Sequence, residues 1–385
     1  MTEAKRSIQI ALPTTGEEEW NACREPLING WLTQGPKVAA FEKAFADRHQ
    51  VKHALATTSC TTGLHLILSA LGIGPGDEVI LPAFTWVATA NVVLYCGATP
   101  VFADVDRVTN NILASEVARL LTSRTKAVIA VHLFGQCADI DAIRSVLPSL
   151  VFLIEDAACA AGASYKGRPA GTLGDAAAFS FHPRKSITTG EGGMVTTNND
   201  KLAELVNKLR NHGAEISEEE RHNGPRPYLL PDFNLLGFNY RMTDIQGAIG
   251  LVQLGKLDNF IEERQKWAQY YREELADIPW LRTPIFIENC QHAWQAFVTF
   301  VDPETAPLPR NAIMEYLQNC GISTRPGTHA VHKLGYYRER FCIEPADFPG
   351  AKDCDEQTMA IPLHNRMSEA DYKFVINKLR EIRFC

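Results

Sequence analysis

The sequence predicts an α/β fold in which a mostly parallel mixed sheet is sandwiched by helices and followed by a smaller C-terminal α+β domain. Short apolar runs such as "DEVILPAF", "TPVFADVD" and "TKAVIAVHLFG" alternate with segments of helical period such as "TTGLHLILSALG" and "DIDAIRSVLPSL". Apolar strands separated by helices of about a dozen residues are typical of βαβ units whose sheet is covered on both faces. The length of 385 residues also exceeds the usual size of a single hydrophobic core, which favours two domains.

The pattern of apolar and polar residues changes after residue 200. Two strand-like runs, "AAAFSFH" and "GGMVTTN", are followed by a predicted helix over residues 201–212 and a polar, proline-containing stretch over 215–231 that we expect to be exposed. Apolar residues at i, i+3, i+4 and i+7 in "TDIQGAIGLVQLGKLDNFIEERQKWAQYYREEL" predict one or two long amphipathic helices. We therefore expect a large domain at 1–250 and a small domain at 251–385.

The composition argues against two classes of partner. The net charge is −7 with no basic block, which argues against nucleic acid as a ligand. Residues 79–103 lack charge and are long enough to span a bilayer, but prolines, a glycine and polar residues interrupt them, so we expect buried core. The cysteines have no paired spacing and no signal peptide is recognisable, which favours reduced thiols in a cytoplasmic protein.

Candidate functional residues cluster where predicted strands end. Lys185 follows one strand in "FSFHPRKSITTGEGG", although a single lysine is usually a surface residue. Asp156 ends the strand "VFLIEDAA" and could equally be a helix N-cap, while Trp86 follows "LPAF" and could equally be a core residue. Because ligands of open α/β sheets bind at the carboxyl ends of the strands, we expect these three side chains at one edge.

A strand-to-helix junction, "TTSCTTGLHLIL", adds hydroxyls and free amides that could hold a phosphate, although such residues are also common helix caps. A phosphate site, a flat aromatic ring, a carboxylate and a lysine together favour pyridoxal 5′-phosphate (PLP) as the cofactor. The lysine would form an imine and the carboxylate would keep the pyridine nitrogen protonated. No dinucleotide fingerprint, P-loop or nucleophile elbow is present to compete with this interpretation.

The chain resembles the DegT/DnrJ/EryC1/StrS family of PLP-dependent sugar aminotransferases, which have fold type I. The matching segments run in order over nearly the whole chain: "WLTQGPKVAAFEKAFA", "ATTSCTTGLHLILSALGIGPGDEVILPAFTWVATAN", "GATPVFADVD", "IEDAACAAGASYKGRPAGTLGDAAAFSFHPRKSITTGEGGMVTTNN", "LRNHGA" and "LLGFNYRMTDIQGAIGLVQLGKLD".

The resemblance implies a role for each matching residue. Lys185 would form the internal aldimine and then move the proton, Asp156 would bind the pyridinium nitrogen, and Trp86 would stack on the ring. Two departures lie beside the cofactor: Cys60, often glycine in the family, and Cys159, commonly glutamine or histidine near the 3′-oxygen. The phosphate would be held by the amides of Thr61 and Thr62 with the hydroxyl of Ser180.

The resemblance also implies a homodimer with shared active sites, in which Asn239 reaches the phosphate in the neighbouring subunit. Thr33, Arg241 and His329 match positions that contact substrate in such enzymes. The implied reaction moves an amino group from an amino acid, usually L-glutamate, to a keto sugar that is most often nucleotide-linked.

Three alternatives remain open from the sequence. The acceptor could be a sugar phosphate or an inosose without a nucleotide. Related dehydratases carry histidine in place of the lysine, so Lys185 argues against that activity. A non-enzymic PLP-binding regulator would need a DNA-binding segment, and the sequence has none that we recognise.

Overall fold

The fold comes from a computed structural model that describes residues 7–216, 221, 224–285 and 287–383. The helices are α1 (Glu17–Asn29), α2 (Pro36–His49), α3 (Cys60–Ala70), α4 (Ala88–Tyr95), α5 (Ala114–Leu120), α6 (Ile140–Val146), α7 (Asp200–Arg210), α8 (Asp244–Glu274), α9 (Arg310–Asn319), α10 (Gly335–Phe341), α11 (Pro349–Gln357) and α12 (Glu369–Arg380). The strands are β1 (His53–Thr57), β2 (Glu78–Pro82), β3 (Phe84–Thr85), β4 (Thr99–Ala103), β5 (Thr125–Val131), β6 (Phe152–Asp156), β7 (Ser164–Tyr165), β8 (Arg168–Pro169), β9 (Ala176–Ser180), β10 (Gly193–Thr197), β11 (Leu281–Arg282), β12 (Cys290–Gln291), β13 (Phe297–Val301), β14 (Arg325–Pro326), β15 (His329–Ala330) and β16 (Thr358–Ile361).

A seven-stranded sheet in the order β1-β10-β9-β6-β5-β2-β4 forms the centre of the molecule. The run from β9 through β6, β5 and β2 to β4 is parallel, whereas β10 is antiparallel to both of its neighbours. Strand β2, "EVILP", is buried along its whole length, as a parallel strand covered on both faces requires. The predicted mostly parallel mixed sheet is therefore confirmed.

Helices cover both faces of this sheet and form two apolar layers. Helices α3, α4 and α7 contribute to one layer, whereas α2, α5, α6 and α8 contribute to the other. Successive residues of β6 alternate between them, with Leu153 in the α2 and α8 layer and Ile154 in the α3 and α4 layer. The next two residues, Glu155 and Asp156, therefore lie on opposite faces of the sheet.

The C-terminal part has its own antiparallel sheet in the order β11-β13-β16-β14. A third apolar cluster packs around it and includes Tyr271 of α8 and Tyr372 of α12. Ile8 belongs to the same cluster and forms a parallel bridge with Ile322. The predicted division at residue 250 falls within α8 and stays a prediction.

Several local expectations can be compared with the structure. The helix expected at 201–212 is α7, and the long amphipathic stretch forms the single helix α8. Of the stretch 215–231, residues 217–220 and 222–223 lie outside the described residues, and most of the others are exposed. Every cysteine within the described residues is a free thiol, and Cys385 lies outside them. Among the described residues, no helix is long and apolar enough to cross a membrane.

A short two-stranded sheet connects the C-terminal part to the large sheet. Strand β15 pairs with β3, which places His329 opposite Thr85 and Ala330 opposite Phe84. Because β3 comes directly after β2, this pairing brings the C-terminal part to the edge at which the parallel strands end.

Candidate active site

Lys185 lies in a closed loop between β9 and β10, at the sheet edge where the parallel strands end. The loop closes where the amide of Phe181 donates to Gly192 O at 2.9 Å. Gly190 turns the chain with a φ of 83°, a left-handed conformation that favours glycine. The Nζ atom of Lys185 lies 3.2 Å from Cys159 Sγ, in the turn that follows β6. The loop therefore directs the lysine toward the end of β6.

The charge on Lys185 is set by opposing effects. Burial lowers the pKa of its ammonium group, but the contact with Cys159 and the charge of Asp156 raise this pKa above its ordinary value of 10.5. Because Asp156 contributes to the rise, the lysine and the carboxylate lie close enough to interact electrostatically. The structure thus brings together the two residues predicted to carry the chemistry.

Asp156 is the last residue of β6 and only 5% of its surface is exposed. Its Oδ2 accepts from Thr89 Oγ1 at 2.7 Å, and its Oδ1 accepts from the amide of Ala158 at 3.2 Å. The Cys60 thiol lies 3.7 Å from Oδ1. Burial, and then the charge of Asp156, raises the pKa of this thiol well above its ordinary value, so the thiol stays protonated.

The start of α3 meets the same edge. Ser59 caps the helix by accepting from the amide of Thr62 at 3.1 Å. Gly193, opposite Ser180 in the β9–β10 ladder, packs so closely that a Cβ there would come within 2.4 Å of the Ser59 carbonyl carbon. Within the described residues, no group accepts a hydrogen bond from the amide of Thr61. The predicted phosphate contacts of Thr61, Thr62 and Ser180 stay predictions, and the Ser59 cap already uses one of them.

Trp86 and His329 meet at the mouth of the site. Their rings are 5.5 Å apart at an angle of 66°, an edge-to-face contact. Trp86 is 59% exposed, so much of its indole surface remains accessible beside the edge that carries Asp156. The predicted stacking role of Trp86 and the predicted substrate contact of His329 are compatible with this position and stay predictions.

The other predicted contacts lie apart from this group. The Thr33 carbonyl accepts from the amide of Asp244 at 3.2 Å. Arg241 donates to Asn211 Oδ1 at 2.7 Å, and Asn211 also forms a bridge with the exposed Asn239. Within the described residues, no hydrogen bond joins Thr33, Asn239 or Arg241 to the lysine or aspartate described above. Their predicted roles stay predictions.

Two residues beside Asp156 escaped the sequence analysis. Thr89 donates to the carboxylate, and its own hydroxyl lies 3.2 Å from that of Thr85. The sequence signal for this contact was the pair Thr85 and Thr89, four residues apart at the start of a predicted helix. Glu155, the residue before Asp156, is fully buried on the other face of the sheet and binds His132 at 2.9 Å. In the sequence Glu155 is only the residue before Asp156 in the same apolar run, and no pattern there indicates its contact with His132.

The donor set at this edge fits PLP. Asp156 is a buried carboxylate whose partners here are a hydroxyl, an amide and a thiol, so it can still accept from a protonated ring nitrogen. Lys185 supplies an amine beside it. The N-terminus of α3 supplies amides where the sheet ends, an arrangement that favours a phosphate. The residues present are therefore those that this cofactor needs.

Comparison with known proteins identifies the family. A profile of the DegT/DnrJ/EryC1/StrS aminotransferase family matches residues 13–380. The spore coat polysaccharide biosynthesis protein SpsC of Bacillus subtilis (strain 168) is 41% identical over 377 residues, which cover 97% of each chain.

Solved structures agree in fold. The crystal structure of the aminotransferase TlmJ from Streptoalloteichus hindustanus has a TM-score of 0.88 and 34% identity, covering 97% of this chain and 98% of that one. The PLP-form of Spr1654 from Streptococcus pneumoniae has a TM-score of 0.90 and 27% identity, covering 98% of both chains. The chain therefore has fold type I and belongs to the DegT/DnrJ/EryC1/StrS aminotransferase family, as a PLP-dependent sugar aminotransferase.

Proposed function

We propose that this enzyme moves the amino group of L-glutamate to a nucleotide-linked keto-deoxy sugar and that Lys185 binds PLP covalently. The observation that carries the proposal is the meeting of Lys185 and Asp156 at one sheet edge, with the lysine Nζ 3.2 Å from Cys159 Sγ. The relative SpsC is named for polysaccharide biosynthesis, which supports a sugar acceptor.

Each of these residues has a defined task in the proposed reaction. When bound, PLP supplies an electron sink for the carbon that loses or gains the amine. Lys185 Nζ takes the proton from the donor carbon as that carbon loses its amine, and it delivers a proton to the acceptor carbon as that carbon gains the amine. Asp156 keeps the cofactor nitrogen protonated, and the hydroxyl of Thr89 orients its carboxylate. Cys159 takes the place at which the family commonly has glutamine or histidine and contacts the lysine amine directly.

A screen of acceptors tests the substrate class. Purified PLP-loaded enzyme is incubated with L-glutamate and a set of keto sugars, and products are identified by mass. We expect amination of a nucleotide-linked keto-deoxy sugar. Amination only of a keto sugar phosphate or an inosose would replace the acceptor, and dehydration without amine transfer would contradict the proposed reaction.

Chemical trapping tests the role of Lys185. Borohydride reduction of the PLP-loaded enzyme should leave a stable pyridoxyl group on Lys185, located by peptide mapping. Lys201, an exposed lysine at the start of α7, serves as the internal control and should stay unmodified. A reduced adduct on any other lysine would contradict the assignment.

We also propose that the enzyme is a homodimer in which Asn239 reaches the cofactor phosphate of the partner subunit. The residue is exposed in the single chain, and Tyr240 beside it accepts from the amide of Thr58, just before the cap of α3. The exposure of Asn239 and the position of its neighbour beside the phosphate-binding helix support a contact at a subunit interface. A cytoplasmic location stays a prediction.

Subunit exchange tests this role. Asn239→Asp should weaken PLP binding, because it places a carboxylate near a phosphate. When these chains exchange with inactive Lys185→Ala chains, each mixed dimer should contain one site with both defects and one with neither. Activity at limiting PLP should then exceed that of either parent. Verified exchange without any gain would show that Asn239 does not act across the interface.

A further inference from the structure

Two arginines flank the site without forming an ion pair. Arg184 directly precedes Lys185, and Arg325 begins β14 in the C-terminal part. Both are exposed, and within the described residues neither side chain meets a carboxylate. Other exposed arginines do pair, as Arg168 does with Asp141 at 2.6 Å. Without an acidic partner among the described residues, both guanidinium groups are open to an anion from solution.

The backbone of Arg184 is held firmly while its side chain remains at the surface. Its amide donates to His182 Nδ1 at 3.2 Å, and its carbonyl accepts from Gln295 Nε2 at 2.9 Å. The residue after Gln295, Ala296, donates its amide to Phe134 O at 3.4 Å. The segment around Gln295 therefore joins the lysine loop to the end of β5.

The same phenylalanine meets the segment that carries Arg325. A Cβ added to Gly327 would lie 3.1 Å from Phe134 Cζ, so this segment passes directly over the ring. The amide of Gly327 also donates to Thr358 Oγ1 at 3.2 Å, which anchors the segment to β16. These contacts place Arg325 on the side of the site where Arg184 lies.

The two guanidinium groups interact electrostatically. Partial loss of solvent around the guanidinium group, and then the positive charge of Arg184, lower the pKa of Arg325 from its ordinary value of 12.5 although the residue is exposed overall. Two residues beyond Gly327, His329 contacts Trp86 at the other side of the mouth. The segment from Arg325 to His329 thus forms one wall of the entrance, with positive charge at one end and aromatic rings at the other.

We propose that Arg184 and Arg325 together bind an oxyanion group of the substrate at the entrance to the Lys185 site. The group is the carboxylate of the amino donor or a phosphate of the acceptor. Guanidinium groups bind both through paired hydrogen bonds, and an anion between them relieves their mutual repulsion. The proposal rests on the proposed function and deepens it, because the proposed amino donor and the proposed nucleotide-linked acceptor both carry such an oxyanion group.

Binding of unreactive anions to the PLP-loaded enzyme tests the proposal. Succinate stands in for the donor carboxylates and inorganic pyrophosphate for the acceptor phosphates, with both measured by titration calorimetry. Arg184→Gln and Arg325→Gln should each lower the affinity for the anion about tenfold or more, the loss expected when a charge-assisted hydrogen bond is removed. Lysine at either position should restore part of the affinity, since it keeps the charge but loses the paired geometry.

A matched control is Arg144→Gln, which removes an exposed arginine at the opposite edge of the sheet. Arg144 pairs with Asp175 at 3.1 Å, just before β9 begins, so its loss should leave anion binding unchanged. If the glutamine variants bind only succinate more weakly, the arginines serve the amino donor. If they bind only pyrophosphate more weakly, the arginines serve the acceptor. Weaker binding of both anions would mean that the arginines bind the donor and the acceptor in successive half-reactions.

Two results would overturn the proposal: neither anion binds the unaltered enzyme, or both bind the glutamine variants as tightly as the control. Binding is measured without turnover, so its outcome is independent of the acceptor screen. Arginine-dependent anion binding in an enzyme that aminates no keto sugar would refute the proposed function and leave the anion site standing. If instead the enzyme aminates a keto sugar but binds the anions equally well without the arginines, the proposed function would stand and the anion site would be refuted.

Discussion

The two faces of strand β6 carry neighbouring carboxylates that are bound in different ways. Glu155 is fully buried and accepts four hydrogen bonds, all of 2.9 Å or less. Its donors are His132 Nε2 and the amides of Gly171, Leu173 and Gly174. The amide of Ala138 donates to His132 Nδ1, so the Nε2 atom carries the proton that Glu155 accepts. Glu155 therefore joins β5 to the turn before β9.

Asp156 is almost as buried, but its contacts are fewer and weaker. It accepts one hydroxyl from Thr89 and one amide from Ala158, and the Cys60 thiol lies 3.7 Å away. A carboxylate can accept about four hydrogen bonds, so Glu155 has no capacity left and Asp156 has some. The comparison teaches that a saturated buried acid holds the fold together, whereas an unsaturated one at a strand end is available to a ligand.

If the Asp156 face carries the chemistry, loss of its lysine should have the largest effect. Lys185→Ala should lower transamination by more than about 10⁴-fold, because it removes both covalent attachment and proton transfer. The measurement is the rate of amine transfer from glutamate, with Lys201→Ala as the control at an exposed position. A loss of less than about tenfold would mean that another group moves the proton.

The next effect should come from the carboxylate itself. Asp156→Asn should lower turnover about 100-fold, equivalent to a lost charge-assisted hydrogen bond of roughly 3 kcal/mol, and should leave the protein folded. Asparagine can still accept from Thr89, so the local structure is preserved while the charge is removed. Turnover within about threefold of the unaltered enzyme would refute the role assigned to Asp156.

The matched change on the other face should have the opposite signature. Glu155→Gln places an amide against donors that already point at its oxygens, so the free energy of unfolding should fall by about 2 to 3 kcal/mol. Turnover per folded molecule should stay within about threefold. Urea unfolding and activity measured on the same samples separate the two quantities. Unchanged stability with lost activity would reverse the division between the faces.

The smallest effect concerns how stability depends on pH. His49 of α2 belongs to the apolar layer on the Glu155 face, and burial lowers its pKa from 6.5 to about 4. The unfolded chain therefore binds a proton that the folded chain excludes, and stability falls as pH drops from 6.5 toward 4. From these pKa values, His49 should cost about 2 kcal/mol of unfolding free energy between pH 7 and 5.

His49→Leu should remove that part of the pH dependence. The quantity to compare is the difference in unfolding free energy between pH 7 and 5, because the substitution also changes packing at both pH values. The ring of His49 stacks on Phe45 at 3.9 Å, so a His49→Phe variant serves as a second check. An equal pH dependence in all three proteins would mean that other groups control it.

The fold, and the sheet edge at which the candidate residues Lys185 and Asp156 lie, could be predicted because they rest on local patterns. Alternating apolar runs determine strand and helix order, and Lys185 and Asp156 each follow a recognisable strand. The role of Thr89 could not be predicted, because the face of α4 that meets Asp156 depends on how the helix packs on the sheet. Glu155 and Asp156 differ only in which side of the sheet each faces, and that difference becomes visible once the partners on both sides are known.

The pairing of Arg184 with Arg325 depends on contacts between distant parts of the chain. Neither residue carries a motif, and the link between them runs through Gln295, Phe134 and Gly327. Each of those contacts is a matter of tertiary packing, which periodicity and spacing do not encode. The entrance to the site is therefore the part that sequence patterns describe least.

The bridge between Ile8 and Ile322 also affects how the protein is made. The amide of Ile8 donates to Gly321 O at 2.8 Å, and Ile8 O accepts from the amide of Ser323 at 2.9 Å. At a translation rate of about 5 to 20 residues per second, the segment at Ile8 leaves the ribosome roughly 15 to 60 s before its partner does. During that interval the large sheet can fold as its strands emerge, while the segment at Ile8 remains without its partner. The third apolar cluster can therefore be completed only late in synthesis.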